Sequence, residues 1–495
     1  MMVMTRLLAI SLLAAVAGCT MAPQYVRPES PVDGAYPSFG RANEKANSKE
    51  PQEVAAADIG WRDFFSDPLL QQLIERSLEN NRDLRVAALN VEAARAKYRI
   101  QRSELLPNLS ATGSGDIRRA PADVSATGQA DVRRVYQVAG VTAAWEVDLW
   151  GRIRSLSDQA LAEYMALDET RLATQMSLVA EVANAYIVLR ADQELLRLTN
   201  DTLASRQRSF DLTKELVEAG SATELDLRQS EIALRSAEAS QALYTRLAAL
   251  DLNAVVLLIG QPLTPEMAAQ LENANTLPDG IVPASLPSGL PSDLLARRPD
   301  IRAAESVLKG ANANIGAARA AFFPAITLTG SGGTASASLG GLFDAGSQAW
   351  TFLPQISVPI FRGGALSANL DLAHVQKRIE IANYEKAIQV SFREVSDGLA
   401  GERTFDDQIR AESQLVSASE KTFDLARKRF DEGIDDYLAV LDAQRTLYGS
   451  QQALVRTRMN RLNNIINLYK ALGGGWTEQT ARAESRTAER STTAS

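Results

Sequence analysis

One pattern occurs twice in this chain at a fixed distance, and it restricts the possible folds more than any other feature. Phe423-Asp424-Leu425 is followed by Gly433, as Phe210-Asp211-Leu212 is followed by Gly220. The offset is 213 residues from Gly220 to Gly433 and again from Gly260 to Gly473. Leu225 falls on Leu438, Gln229 on Asp442, and Glu181-Val182 on Glu394-Val395. Upstream, Asn81-Arg82-Asp83 matches Arg298-Pro299-Asp300 and Pro107 matches Pro324, both at an offset of 217. A register held this long marks a duplicated structural unit. The net difference of four residues (217 − 213) must lie between the two matched blocks, where strands and loops absorb length changes. The repeats are expected over 61–260 and 293–475, joined by a Pro- and Gly-rich linker over 261–292.

Each repeat holds long stretches free of helix breakers. No Gly lies between Gly151 and Gly220, and no Pro between Pro121 and Pro262 or after Pro359. A continuous helix over 152–219 would be on the order of 100 Å long, about three times a bilayer core of roughly 30 Å. Lys, Arg and Glu punctuate these stretches, so they are expected to stand outside the membrane in water. Gly398 and Gly401 are expected to kink or loosen the third long run, the one that follows Pro359. Asp67-Pro68 reads as a helix start, and Pro107 as a stop for a helix beginning near Asp83.

After Pro107 and Pro324 the apolar period shifts from about 3.6 to 2. Ile326 and Leu328 share a face, as do Trp350, Phe352, Ile356, Val358 and Ile360. In the first repeat Val135, Val141, Ala143, Trp145, Val147 and Leu149 are expected on one face, with 108–116 a weaker strand. The hairpins are expected near 108–149 and 325–361, with strands of roughly ten residues, a length that suits a tilted membrane strand. Trp145, Trp150, Trp350, Phe352 and Phe361 are placed at interface levels. The strands alone fit a soluble β-domain with one wet face equally well. Helices too long for any compact domain favour the membrane.

Composition narrows the chemistry. The net charge is −8 and the pI about 5.2, which argues against nucleic acid as the partner. Cys19 and His374 are the only Cys and His, too few for an ordinary zinc site. A histidine-based triad would need His374, which lies in the charged helical run AHVQKRIE. No phosphate loop of the Walker type occurs. No catalytic residue, metal or cofactor is expected, and the chain is not expected to be an enzyme.

Residues 1–18 have a cationic start at Arg6 and a short apolar core, and read as a signal peptide. Val16-Ala17-Gly18-Cys19 resembles a lipobox, which would leave Cys19 as a lipid-bearing N-terminus. A covalent lipid there would tether the protein to a membrane surface. Thr20 follows where Asp would favour inner-membrane retention in lipoproteins of this type. Residues 19–60 read as an extended segment and 476–495 as a disordered tail.

The elements combine in one way. Four strands cannot close a membrane barrel, and an open sheet in lipid leaves backbone groups unpaired. Several copies must therefore share a barrel; three would supply twelve strands under cyclic symmetry. A lipid-tethered barrel continued by a tube of helices is a conduit.

Specific stretches now point to a family. CTMAPQYVRP at Cys19, NNRDLRVAALNVEAARA at Asn80, WEVDLWGR at Trp145, DLLARRPDIRAAE at Asp293, DYLAVLDAQRTLY at Asp436 and YKALGGGW at Tyr469 cover nearly the whole mature chain. The chain resembles the TolC-type outer-membrane factors, lipoprotein branch, of tripartite efflux pumps. The resemblance implies a fold that is mainly α with a small β part. In it a homotrimer shares a twelve-stranded outer-membrane barrel above a long α-helical barrel, each chain being an internal two-fold repeat. It implies passive export of small toxic compounds or drugs. The implied partners are a periplasmic adaptor, an inner-membrane pump expected to be proton-driven, and outer-membrane lipid. By position it places the periplasmic gate at Leu438 and Asp442, four apart and so on one helix face. It places adaptor contacts at the helix tips, Gly220, Ser221 and Thr223 in one and Gly433, Asp435 and Asp436 in the other. TolC's latching Tyr and Arg correspond to Phe430 and Asp435, so that latch is not expected here. Asp435 and Asp436 are expected to add acidity near the entrance or to face water. Ducts for secreted protein or metal ions, and a lipid-anchored periplasmic coiled-coil scaffold without a pore, are the competing readings.

Overall fold

The computed structural model describes residues 20–37, 55–125, 128–274, 276–278, 280–284, 286–287 and 291–480. The first half runs α1 (Trp61–Phe64), α2 (Pro68–Asn80), α3 (Arg82–Ser103), β1 (Asn108–Ala120), β2 (Asp131–Val147), α4 (Arg152–Glu218) and α5 (Glu224–Ile259). Then come α6 (Pro265–Asn273), α7 (Pro291–Arg297), α8 (Pro299–Ala320), β3 (Ala325–Ser336), β4 (Gln348–Ser357), α9 (Ala365–Asp431) and α10 (Tyr437–Ala471). The two halves correspond element for element. Helices α3 and α8 are both 22 residues long and start 217 apart (299 − 82). Helices α4 and α9 are both 67 residues long and start 213 apart (365 − 152). The four-residue difference is therefore confined to the hairpins and their loops. The 261–292 stretch, read as linker, contains the nine-residue α6, capped by Thr264 and opened by Pro265.

One compact unit comprises Leu89–Asp168, Ala303–Glu385 and the N-terminal residues up to Glu29. Its strands form one antiparallel sheet in the order β1-β2-β3-β4, so the two hairpins pair through β2 and β3. The strands are 13, 17, 12 and 10 residues long, and all but β4 exceed the length expected. Leu149, Val358 and Ile360, expected within strands, lie past the strand ends.

The expected face of β2 needs a correction. Ala139 pairs with Gly333 while Val141 pairs with Gly332, so Gly140 is a bulge residue. One extra residue reverses the inside–outside alternation. Val135 therefore lies on the face opposite Val141, Ala143, Trp145 and Val147. Beyond the bulge the register is clean. Val147 pairs with Ile326 and Ile326 with Ile356, while Val141 pairs with Gly332 and Gly332 with Trp350. These residues make one apolar face, on which Trp350 is 80% and Ile356 66% exposed. The other face is polar: Thr142, Ser331 and Thr351 align, with a 2.7 Å hydroxyl hydrogen bond between the last two.

The tryptophans expected at interface levels include two that brace the sheet base. Trp145 Nε1 donates to Leu105 O at 3.1 Å and Trp150 Nε1 to Pro324 O at 2.9 Å. The N-terminal segment is bound along α8. Arg27 makes two hydrogen bonds to Glu305 at 2.9 and 2.8 Å, Tyr25 adds a third at 3.1 Å, and Asn312 Nδ2 donates to Pro23 O at 2.7 Å.

The other unit comprises Ser30–Ala88, Glu169–Arg302 and the residues from Lys386 onward. Asp67 caps α2, accepting from Leu69 N at 2.8 Å and from Tyr186 OH at 2.7 Å, as the Asp-Pro start predicts. Phe64 stacks on Tyr469 at 3.8 Å and both are buried. Full burial of side chains of this size contributes roughly 1.5–3 kcal/mol each. Residues 476–480, expected in the disordered tail, instead bond to α1 and the residue before it. Trp61 N donates to Thr477 O at 3.0 Å, and Gly60, which faces the backbone of Gln479, has no room for a Cβ. The remainder, 481–495, lies outside the described residues.

Gly398 and Gly401 do not interrupt α9. They admit α10: Asn464 Nδ2 donates to Gly398 O at 2.9 Å, and a Cβ on Gly401 would sit 2.4 Å from Asn464 Oδ1. Close approach, not a kink, explains both glycines. Helices α4 and α5 each contain an 18-residue window long and apolar enough to cross a membrane, although Arg and Glu punctuate both helices. In α5, Val255 and Ile259 are buried, and Ser77 and Asn81 both donate to Leu258 O, at 2.7 and 2.9 Å. Val255 and Ile259 thus face α2 and the residue that ends it, while Leu250 and Leu257 on the same helix stay exposed.

Candidate channel gate and helix tips

The two helix tips are built alike. At the first, Gly220 adopts φ 76°, with Gly220 N bonded to Val217 O and Ser221 N to Leu216 O. At the second, Gly433 adopts φ 73°, with Gly433 N bonded to Phe430 O and Ile434 N to Arg429 O. Both are Schellman closures, which need a left-handed residue and so favour Gly. Neither glycine has a heavy atom within 4 Å of a built Cβ, so backbone conformation alone requires them. Thr223 caps α5 and Asp436, 213 residues on (436 − 223), caps α10. The first is a reciprocal capping box with Asp226, whose carboxyl is held below its usual range by hydrogen bonds from Thr223.

Acidity at the second tip differs from expectation. Arg429 grips Asp435 with two hydrogen bonds of 2.5 and 2.8 Å. That guanidinium holds the Asp435 carboxyl below its ordinary value and offsets its charge. Asp436 spends one oxygen on Ala439 N at 3.2 Å. At the former latch position Phe430 contacts the Tyr437 ring at 5.3 Å, which closes the tip on itself.

Helix α10 has one buried side and one open side near its start. Tyr437, Val440, Ala443 and Gln444 are buried, and Gln444 Nε2 donates to Ser205 Oγ of α4 at 3.1 Å. Tyr448 shares a 2.7 Å hydrogen bond with Thr199 and lies under the Arg206 guanidinium. Leu438 and Asp442 take the open side, and Leu438 is 51% exposed. Its repeat counterpart Leu225 is 65% exposed, so both leucines stand open to solvent in the single chain. Asp442 pairs with Arg445, an interaction that spacing alone (i, i+3) would have revealed. Asp442 also borders a groove between α9 and α10 lined by Ala418, Thr422, Ala426 and Ala439.

A carboxylate pair that no sequence signal marks lies between α4 and α5. Asp192 of α4 lies beside Asp251 of α5, and Asp251 Oδ2 is buried without a partner. Burial, then the charge of Asp192, pushes the Asp251 carboxyl up to about 7. No group of three or more His, Cys, Asp or Glu that would hold a metal occurs among the described residues.

The family model described as outer membrane efflux protein matches residues 73–261 and 290–474. The chain belongs to the outer membrane efflux protein family. The antibiotic efflux pump outer membrane protein ArpC and the toluene efflux pump outer membrane protein TtgC, both of Pseudomonas putida, are relatives. Each is 49% identical over 467 residues, covering 94% of this chain and 94% of its own. Among solved structures, the open state of the Neisseria gonorrhoeae MtrE outer membrane channel superposes with a TM-score of 0.81. It is 38% identical and covers 94% of this chain and 100% of its own. Both matched segments fall on the two structural repeats. The protein is an outer-membrane efflux channel subunit.

Proposed function

We propose that three copies of this chain form the exit duct of a tripartite efflux system, conducting small toxic compounds out of the cell. One observation carries the assembly: β1 and β4 are both free edges of a sheet with one apolar and one polar face. In lipid those edges must pair, and the next copy supplies the partner. The polar face then lines the pore and the apolar face meets lipid. The antibiotic and toluene pumps named for the relatives support cargo of that kind. In this reading a proton-driven inner-membrane pump delivers it through a periplasmic adaptor.

In this reading the gate is a ring of Leu438 and a ring of Asp442, since both stand on the unburied side of α10. Arg445 tempers the Asp442 charge, so the ring favours cations less than three free carboxylates would. The adaptor meets the tips at Gly220, Ser221, Thr223, Gly433, Asp435 and Asp436. Cys19 lies outside the described residues, but the neighbouring Thr20 sits 3.5 Å from Ser155, eight residues past the end of β2 (155 − 147). A lipid on Cys19 would thus enter at the level where sheet gives way to helix. The chain acts as a conduit and needs no catalytic residue or cofactor.

Planar-bilayer conductance of the purified lipidated protein tests the duct. Defined single channels are expected, and Asp442→Ala should raise conductance and entry of large antibiotics. A well-folded assembly with no pore, in wild type and variant alike, would favour a scaffold instead.

A further inference from the structure

The bulge at Gly140 also decides what the first hairpin presents at its far end. Ile117 pairs with Arg134 and Arg119 with Val132, so Arg119 and Arg134 share one face and are diagonal neighbours, roughly 7–8 Å apart. Counting through the bulge, that face is the one carrying Val141, Trp145 and Val147. Arg118 and Arg133, which pair with each other, lie on the opposite, polar face, where Arg118 bonds Asp116 at 2.9 Å. Arg119 and Arg134 are exposed, and neither forms an ion pair among the described residues. Two unpaired guanidinium groups on a membrane-directed face need an anionic partner or water.

Their height along the sheet, measured from Val147 as the start of the apolar face, bears on which layer they occupy. Thirteen residues separate Val147 from Arg134 (147 − 134), one of them the bulge residue. At about 3.3 Å per residue the strand covers roughly 40 Å, or roughly 30 Å of height at the tilt of membrane strands. The apolar band of such barrels is about 25 Å tall. Tyr136, whose ring lies against Gly115, is the last aromatic residue on that face before the arginines. The pair therefore clears the hydrocarbon at the end remote from α4, on the outer-leaflet side.

We propose that Arg119 and Arg134 form a binding site for the phosphate groups of the phosphorylated glycolipid of the outer leaflet. The site rests on reading the sheet as part of an outer-membrane barrel. Arginine suits this ligand because its planar fork meets a phosphate with two parallel hydrogen bonds. Bound glycolipid would seal the barrel wall around the hairpin and fix its depth. The opposite-face arginines face the pore and take no part.

The test uses the full-length lipidated protein and three probes in native mass spectrometry: bisphosphorylated lipid A, the same lipid A with its phosphates removed, and phosphatidylglycerol. Wild type is expected to bind bisphosphorylated lipid A at least about tenfold more tightly than the dephosphorylated form. The double variant Arg119→Gln, Arg134→Gln should lose that difference, and Arg118→Gln, Arg133→Gln should keep it. Undiminished phosphate-dependent binding in the first variant overturns the proposal, as does an equal loss in the second. Phosphatidylglycerol bound as tightly as bisphosphorylated lipid A overturns the outer-leaflet assignment. Conductance of the same preparations separates the two claims: pores without phosphate-dependent binding sink only the lipid site, and absence of pores sinks the channel reading.

Discussion

Arg298 donates through Nη1 to the carbonyl oxygen of Ala471 at 3.0 Å, where α10 ends. Its repeat counterpart Asn81 (298 − 217) donates to Leu258, the counterpart of Ala471 (471 − 213), at 2.9 Å. The duplicated halves thus keep the same tie with different chemistry. Each side chain satisfies an orphan carbonyl at a helix C-terminus. Arg298 is 4% exposed and bonds Asp300 and Glu394 as well, at 2.6–2.9 Å.

Replacing Arg298 by Met should cost more than replacing Asn81 by Ala. The first removes the buried cation that ties Glu394, Asp300 and the Ala471 carbonyl together, a loss of about 2–4 kcal/mol, below that of a fully buried pair because both carboxylates reach solvent. The second removes one of the two hydrogen bonds that Leu258 O accepts, leaving that from Ser77, together with the Asn81 cap on α3, at about 1–2 kcal/mol. Urea unfolding of the two variants checks the order, and equal midpoints would refute it.

The Asp192–Asp251 pair makes stability depend on pH. The Asp251 carboxyl titrates near about 7 in the folded chain, raised by burial and by the charge of Asp192. Asp192 is raised too, chiefly by burial, with Arg456 opposing. A raised carboxyl means that the folded state holds the proton more tightly. Its contribution is fully present below about pH 4 and is lost as pH rises through about 7. Asp251→Asn should flatten the melting temperature between about pH 5 and 8 and raise it at the alkaline end. An unchanged pH profile would show that the pair does not share a proton.

Gly333 lies against the bulge, where a Cβ would stand 2.0 Å from Val138 O. Gly333→Ala is expected to cost about 1–3 kcal/mol by forcing β2 and β3 apart. The readout is the temperature at which the assembled protein dissociates on a gel; no change would mean that the sheet adjusts freely there.

Gly316 admits the N-terminal segment, since a Cβ would come within 2.7 Å of Ala22 N and 2.5 Å of Ser155 Oγ. Gly316→Val should lift Thr20–Arg27 off α8 and break the Arg27–Glu305 pair. Faster proteolytic cleavage within that segment, with the sheet intact, is the expected result. Wild-type resistance would place the hold elsewhere.

Much of this protein is decided by local chemistry, and so was legible in the residues. An interval without Gly or Pro sets α4, and one without Pro sets α9, because no proline interrupts the hydrogen-bond ladder of either. Gly220 and Gly433 fixed the tips because only left-handed backbone closes a Schellman motif cheaply. The constant offset revealed the duplication, and the spacing of four put Leu438 and Asp442 on one helix face. Other features arise from residues far apart in the chain. A single extra residue at Gly140 turned Val135 to the other face and brought Arg119 and Arg134 to the apolar one. Gly398 and Gly401 looked like weak points until α10 was seen to fill the space they leave. Asp192 and Asp251, 59 residues apart (251 − 192), carry no sequence signal of their pairing. Periodicity reports what a residue does to its own backbone; register, close approach and shared protons depend on which distant segment arrives beside it.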